Sequence, residues 1–169
     1  AEVRTEMGPT PIFRVGHFVL FTPDFKACVD WYQKWLGFLP TDVLTDAEGN
    51  PVGGFWRLNR GDKPADHHNL AIFASDHSGV HHISTETLDV DAIGQGQQYL
   101  RHKGWNHYWG IGRHLLGSQF FDYWLDPTGS GLEWEHYADG DVMTTSLRRV
   151  RLDLHPFQLV ADRAVRALD

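Results

Sequence analysis

Apolar residues recur along the chain with two spacings, one typical of helices and one typical of strands. Phe25, Cys28 and Tyr32 recur at helical spacing behind Asp24, whose short acidic side chain suits a helix N-cap. Gly37 suits the left-handed residue that often ends a helix. The pattern therefore predicts a first amphipathic helix between Asp24 and Gly37.

A second helix is predicted in the middle of the chain. Asp89 or Asp91 can cap its N-terminus, and Gly104 can stop it. Its apolar face is weaker than that of the first helix, because Gly94 and Gly96 interrupt it.

Strand-like stretches follow each helix, separated by turn signals rich in Gly, Pro, Asn and Asp. The predicted strands are Phe38–Val43, Gly54–Leu58 and Asn69–Phe73 in the first half, and Trp105–Ile111, Phe120–Leu125 and Leu132–Tyr137 in the second. Each half therefore has the order β-α-β-β-β.

The two halves also share a local motif at their first strands. His17 opens the run His-Phe-Val-Leu, and His82 opens the run His-Ile-Ser-Thr; an Asp follows each histidine seven residues later. An internal repeat of this kind predicts an α+β fold of two βαβββ modules, about 12–75 and 79–141, in a curved mixed sheet around an internal cavity. Residues 142–169 are expected to form a C-terminal extension, partly helical from Pro156.

Composition narrows the function classes. The 169 residues are 41% hydrophobic and carry a net charge of -7, so we expect no nucleic-acid partner. The single cysteine, Cys28, excludes an internal disulfide and a multi-thiolate zinc site. No apolar run has the length of a membrane span.

We expect a cytoplasmic homo-oligomer without a membrane partner. Because the sequence starts at Ala1, it is compatible with a piece of a longer protein.

Two histidines at repeat-equivalent positions are candidate metal ligands. A lone histidine such as His17 in an apolar strand is more often a core residue, but its equivalence to His82 favours a shared role. His81 must face the other way, since neighbouring strand residues alternate. Glu133 and Glu135 lie two residues apart on one strand face, which is either solvated or turned towards a metal. Two histidines and one carboxylate form the facial triad of non-heme Fe(II) oxygenases.

The motifs of the second half resemble a known family. The segment from Gly112-Arg113-His114 through Phe121-Asp122-Tyr123 to Asp126-Pro127-Thr128-Gly129, followed by a Glu, is similar to the signature of the type I extradiol catechol dioxygenases of the vicinal oxygen chelate superfamily. Val80-His81-His82-Ile83 and Val15-Gly16-His17-Phe18 resemble its two histidine segments, and the resemblance runs from about Arg14 to Asp141.

The resemblance implies roles for individual residues. His17, His82 and a glutamate would hold the metal, Fe(II) or alternatively Mn(II). His68, 14 residues before His82, matches the acid–base histidine, while Tyr123 and His114 match substrate contacts. Arg113 is an alternative to His114. The usual spacing from Pro127 selects Glu133, whereas the ending Glu-His-aromatic-x-Asp-Gly-Asp of a subgroup selects Glu135, which we favour.

The implied function is extradiol ring cleavage. The enzyme would insert both atoms of O2 into a catechol, bulky or bicyclic, to give a semialdehyde acid. Trp105, Trp109, Phe120 and Trp124 are candidate walls of the substrate cavity. Two alternatives share the same fold: a metal-dependent, glyoxalase-like isomerase or lyase, and a metal-free module that binds small molecules.

Overall fold

The computed structural model describes residues 8–129, 131–136, 142–143 and 148–151, with side chains described for 8–129. Two helices and eleven strands lie in these ranges: β1 (Ile12–Thr22), α1 (Phe25–Leu36), β2 (Leu39–Thr45), β3 (Pro51–Arg57), β4 (Ala65–Asp66), β5 (Leu70–Ala74), β6 (Gly79–Thr87), α2 (Val90–His102), β7 (His107–Arg113), β8 (Phe120–Leu125), β9 (Gly131–His136), β10 (Val142–Met143) and β11 (Arg148–Arg151).

The chain divides into two units. One comprises the described parts of His17–His81 and Val142–Asp169, and the other those of Ala1–Gly16 and His82–Asp141. Strand β1 therefore contributes its first residues to the second unit and the rest to the first.

In the first unit the strands lie in the order β11-β2-β3-β5-β1. Strands β1 and β5 are parallel, as are β11 and β2, while β3 is antiparallel to both of its neighbours. Helix α1 covers this sheet with the half-buried side chains of Phe25, Cys28, Val29 and Tyr32. They pack against a buried cluster made of Phe38, Trp56, Leu70 and Ile72.

In the second unit the strands lie in the order β6-β9-β8-β7. Strands β6 and β9 are parallel, and the other pairs are antiparallel. Strands β6 to β9 thus repeat the pattern of β1, β2, β3 and β5, each set with one helix after its first strand. The expected α+β class and the double βαβββ order are confirmed.

The helix boundaries follow the predicted caps. The carboxylate of Asp24 accepts a hydrogen bond from the amide of Ala27 at 3.0 Å, and Gly37 ends α1 with φ 69°. Asp89, rather than Asp91, caps α2 by accepting from the amide of Ala92 at 2.7 Å. Helix α2 ends at His102, slightly before the left-handed Gly104.

The segment after residue 141 contains two strands that the sequence analysis did not predict. Strand β10 pairs with β4, and β11 adds a parallel strand to the edge of the first unit at β2. The predicted helix from Pro156 lies outside the described residues. None of the helices in the described part of the chain is long and apolar enough to cross a lipid bilayer.

Candidate active site

His17 and His82 occupy equivalent places on the first strands of the two repeats. Both side chains are buried, with 3% and 5% of their surface exposed. His81 points to the opposite side of its strand, where its ring lies 5.1 Å from that of Phe21, as strand alternation requires. Burial of a polar imidazole is costly unless its nitrogens are satisfied by hydrogen bonds or by a metal.

In the first unit, His17 is next to His68. The two ring centroids are 4.2 Å apart, and the ring planes are tilted by 47°. His68 lies in the short connection between β4 and β5 and is itself buried. The ring of Phe55, on β3, lies 4.8 Å from that of His68 in an edge-on contact. The structure therefore brings two of the predicted site residues, His17 and His68, into contact.

A further buried pair continues from His68. Nδ1 of His68 lies 2.9 Å from Nδ1 of His67, and Nε2 of His67 lies 2.8 Å from Oδ2 of Asp42. Asp42 lies on β2 and is fully buried, and His67 is 1% exposed. A carboxylate that is removed from water needs a hydrogen-bonding or charged partner, and His67 supplies one.

Arg57 holds the backbone beside this pair. Its Nη1 donates to the carbonyl of Pro40 at 2.6 Å and to Oγ1 of Thr41 at 3.0 Å. The guanidinium is buried, so these charge-assisted hydrogen bonds fix the start of β2 just before Asp42.

In the second unit, His82 contacts Tyr123 of β8. Their ring centroids are 5.1 Å apart in an edge-on arrangement. The hydroxyl of Tyr123 lies 3.1 Å from Nε2 of His114, and the indole of Trp109 stacks on the phenol ring at 5.3 Å. Phe121 closes the same face, with its ring 4.3 Å from that of Trp109. Three predicted site residues of this unit, His82, His114 and Tyr123, therefore share one aromatic face.

Arg113, the alternative to His114, has a different position. Its side chain is exposed, donates to the carbonyl and hydroxyl of Ser118, and covers the ring of Phe120 at 5.2 Å. Arg113 thus braces the turn between β7 and β8, and His114 is the member of the pair that meets Tyr123.

The other face of β8 carries a buried polar cluster. Oδ1 of Asp122 lies 2.8 Å from Nε2 of His107 and accepts from Gln97 at 3.2 Å, while Oδ2 accepts from the indole of Trp124 at 2.7 Å. Burial raises the pKa of Asp122, and the hydrogen bonds from His107 and Trp124 partly oppose this rise.

Two of the four aromatic residues expected to line the cavity lie elsewhere. Trp124 is buried among the polar groups around Asp122, on the face of β8 opposite Tyr123. Trp105 is 47% exposed and lies between α2 and β7. The ring of Trp109 contacts those of His114 and Tyr123, and the ring of Phe120 lies beneath the guanidinium of Arg113.

The candidate third ligands lie on β9, whose backbone is described. Position 133 is in register with Ser84 of β6 and Tyr123 of β8, and position 135 with Glu86 and Phe121. The glutamate side chains lie outside the described residues. Among the side chains described in 8–129, no three histidine, cysteine or acidic groups are clustered as a metal site.

Sequence reasoning missed two residues at the site. His67 was assigned no role, and Asp42 was counted only as part of the predicted strand Phe38–Val43. An acidic residue in a predicted strand with several apolar residues is itself a signal, because such a group is rarely buried without a partner.

Comparisons with known proteins agree with this fold. The family model of the Glyoxalase/Bleomycin resistance protein/Dioxygenase superfamily matches residues 14–135. Metapyrocatechase 2 of Cupriavidus necator is 37% identical over 139 residues, which are 82% of this chain and 41% of that protein. The chain therefore spans about two fifths of that relative's length.

Solved structures give the same picture. A Mn(II)-bound glyoxalase from Novosphingobium aromaticivorans is 27% identical, with a TM-score of 0.71 over 93% of this chain and 47% of that one. Homoprotocatechuate 2,3-dioxygenase from Brevibacterium fuscum, in complex with 3,4-dihydroxyphenylacetate, is 22% identical, with a TM-score of 0.72 over 85% of this chain and 44% of that one. At that identity the second likeness concerns the fold alone. The resemblance to extradiol dioxygenases is thus confirmed, and the chain belongs to the Glyoxalase/Bleomycin resistance protein/Dioxygenase superfamily.

Proposed function

We propose that this chain carries the metal centre of an extradiol dioxygenase, which opens the ring of a catechol with O2 to give a semialdehyde acid. The observation that carries the proposal is the burial of His17 and His82 at equivalent positions of two structural repeats. The 37% identity to Metapyrocatechase 2 supports the same reaction class.

The proposed metal ligands are His17, His82 and one glutamate of β9. The donor set fits the group: two neutral imidazoles and one carboxylate suit Fe(II), and also Mn(II), and leave coordination positions for other ligands. The near-complete burial of both imidazoles supports this role, because a buried polar ring needs hydrogen bonds or a metal to offset the loss of water. Fe(II) would supply electron transfer between the electron-rich diol ring and O2.

The strand register favours Glu133 over Glu135 as the third ligand. Position 133 lies between Ser84, two residues after His82 on β6, and Tyr123, whose ring contacts that of His82. The buried hydroxyl of Ser84 has no hydrogen-bond partner among the described residues and could donate to a carboxylate there. We therefore propose Glu133, contrary to the preference for Glu135 based on the sequence ending.

Position 135 has different neighbours. It lies beside Glu86, whose carboxylate pairs with Arg14, and beside Phe121. A metal-bound carboxylate at 135 would stand next to a second acidic residue that already has its own cation.

His68 is the proposed acid–base residue. Its ring lies against that of His17, so a substrate held beside His17 would be within reach of His68. It would accept a proton from the catechol hydroxyl and return it to the oxygen that leaves during O–O cleavage. The edge of Phe55 covers the same ring and limits access of water to it.

Tyr123 and His114 are proposed to orient the substrate. Their hydrogen-bonded pair offers a hydroxyl and an imidazole nitrogen on the aromatic face that includes Trp109. Such a face suits a flat aromatic ring, since stacked and edge-on contacts between rings are favourable.

A glyoxalase-like activity is the second candidate, because the Mn(II)-bound glyoxalase matches 93% of this chain. Enzymes of that type usually fill a fourth ligand position with a second carboxylate or a Gln. In this chain we expect His68 at the corresponding place, where its imidazole, hydrogen-bonded to His67, is neither a carboxylate nor an amide. This difference favours the dioxygenase.

Oxygen uptake tests the proposal directly. The purified full chain would be loaded anaerobically with Fe(II) and mixed with a panel of catechols, with yellow product and O2 consumption recorded together. We expect equimolar O2 uptake and product, abolished in His82→Ala and retained in the matched control His81→Ala. Metal-dependent turnover of a hemithioacetal without O2 uptake would favour the glyoxalase instead, and absence of metal binding would favour a binding module.

A further inference from the structure

We propose that Asp42 and His67 are positioning residues that set the tautomer of His68, so that His68 presents an unprotonated Nε2 to the substrate. The inference rests on the proposed function of His68 and extends it to two residues that do not reach the substrate. It depends on the buried contacts from Asp42 to His67 and from His67 to His68.

The first step concerns His67. An ionised carboxylate can only accept hydrogen bonds, so at 2.8 Å from Asp42 the Nε2 of His67 must carry the proton. A neutral imidazole has a single N–H, so the Nδ1 of His67 then carries a lone pair. The buried carboxylate thereby fixes one of the two possible tautomers of its neighbour.

The second step concerns His68. Two nitrogens at 2.9 Å need one hydrogen between them. Because Nδ1 of His67 has none, Nδ1 of His68 must donate. A neutral His68 therefore keeps its proton on Nδ1 and has its lone pair on Nε2. This is the form in which the residue can accept a proton from a catechol hydroxyl.

The third step concerns orientation. His67 and Asp42 are almost fully buried, and Phe55 makes ring contacts with both histidines at 5.6 and 4.8 Å. Arg57 anchors the backbone just before Asp42. These contacts therefore fix the orientation of the His68 ring as well as the nitrogen that carries its proton. In other catalytic arrangements a third residue orients the general base in the same way.

Substitution of Asp42 by Asn gives a specific expectation. An amide can turn its N–H towards Nε2 of His67, which then takes its proton on Nδ1 and donates it to His68. Nδ1 of His68 becomes the acceptor, and its Nε2 becomes protonated. Asp42→Asn should therefore invert both tautomers without removing any imidazole.

Nuclear magnetic resonance of histidine side chains tests the inference without any turnover. Two-bond 1H–15N correlation spectra of the full chain, metal-free and loaded with diamagnetic Zn2+, report which ring nitrogen carries the proton. We expect a Nδ1–H tautomer for His68 in the wild type and a Nε2–H tautomer in Asp42→Asn. A wild-type His68 protonated on Nε2, or a tautomer unchanged in Asp42→Asn, would overturn the inference.

Asp122→Asn is the matched control, because Asp122 is another buried aspartate 2.8 Å from a histidine Nε2, in the other unit. It should leave the tautomer of His68 unchanged. With a catechol substrate, Asp42→Asn should lower kcat by about a hundredfold, a typical contribution of a positioned acid–base group, with little change in KM. Asp122→Asn should not lower kcat at a temperature where it is folded. Equal loss of kcat in both variants would indicate a merely structural role.

Two substitutions of His67 cover the case in which Asp42→Asn does not fold. His67→Gln retains an oxygen that can accept from Nδ1 of His68, whereas His67→Leu does not. The Gln variant should keep the wild-type tautomer of His68 and more of kcat than the Leu variant; equal behaviour of the two would contradict the inference. If the wild type opens no catechol, the proposed function fails while the tautomer spectra still decide this inference.

Discussion

The hydroxyl of Tyr123 and Nε2 of His114 lie 3.1 Å apart, joining the middle of β8 to the residue that follows β7. Tyr123 is buried, so its hydroxyl needs a partner whether or not a substrate is present. The backbone of His114 is itself fixed, because its amide donates to the carbonyl of Gln119 at 2.9 Å. The pair thus has a structural role that must be separated from its proposed role with substrate.

Tyr123→Phe separates the two roles. Loss of one buried hydrogen bond should lower the free energy of unfolding by about 1 kcal/mol. Loss of a substrate contact should lower kcat for catechol cleavage by a larger factor, about tenfold to a hundredfold. Urea denaturation and steady-state kinetics measure the two effects. Tyr108→Phe is the control, because Tyr108 precedes Trp109 on the adjacent strand β7. This variant should change neither the free energy of unfolding nor kcat by much. An unchanged kcat in Tyr123→Phe would assign Tyr123 to structure alone.

Gly54, on β3 beside the backbone of Asp42, gives a prediction about stability. A Cβ added there would lie 2.6 Å from the carbonyl oxygen of Asp42 and 2.9 Å from the ring of Trp56. Since backbone cannot move aside cheaply, Gly54→Ala should destabilise the fold by about 1–3 kcal/mol. Gly94 lies inside α2, where a Cβ meets nothing within 4 Å, so Gly94→Ala should stabilise by about 0.5–1 kcal/mol. Thermal denaturation compares the two; the same sign for both would contradict the prediction.

Much of the fold could be predicted because local signals and the repeat agree. The aspartate caps, Gly37 and the alternation around His81 and His82 each depend on near neighbours in sequence, which the pattern contains. Strand β11 was missed because its pairing with β2 joins residues about a hundred positions apart, and no local pattern encodes a partner at that distance.

The site was predicted less completely than the fold. The repeat singled out His17 and His82, and the family resemblance added His68, His114 and Tyr123. Neither could find Asp42 as the partner of His67, because their contact depends on how β2 is placed in the sheet. Trp124 was assigned to the cavity although it directly follows Tyr123 on β8, and the alternation of neighbouring strand residues already places the two on opposite faces.

Asp122 predicts the direction of a pH dependence. Burial raises its pKa above the ordinary 3.8, so the native state keeps this proton at pH values where the unfolded chain has lost it. The native state then binds more protons than the unfolded state, and the contribution of Asp122 to stability, present in full at low pH, declines as pH rises above about 4. Urea denaturation at several pH values measures this effect. As the pH rises above about 4, the free energy of unfolding of the wild type should fall relative to that of Asp122→Asn.

Asp76 is the contrasting control. It is exposed, and its hydrogen bond with His77 lowers the pKa of its carboxyl. The contribution of Asp76 to the free energy of unfolding is therefore present above the ordinary pKa and is lost as the pH falls. Asp76→Asn should give a pH dependence of the opposite sign and small size, since solvent screens an exposed pair. The same sign in both comparisons would show that the raised pKa of Asp122 is not the cause.

The two glutamates of β9 give the most direct test of the metal site. Because position 133 lies in register with Tyr123 and Ser84, Glu133→Gln should weaken Fe(II) or Mn(II) binding by more than about a hundredfold, exceeding the effect of losing an outer hydrogen bond to a ligand. Glu135→Gln, on the same strand and with the same change of charge, should bind metal nearly as the wild type does. Calorimetric titration and the metal-induced rise in Tm measure both. If instead Glu135→Gln loses the metal and Glu133→Gln keeps it, the subgroup ending identifies the ligand correctly, and the carboxylate must then reach the metal from beside Glu86 and Phe121.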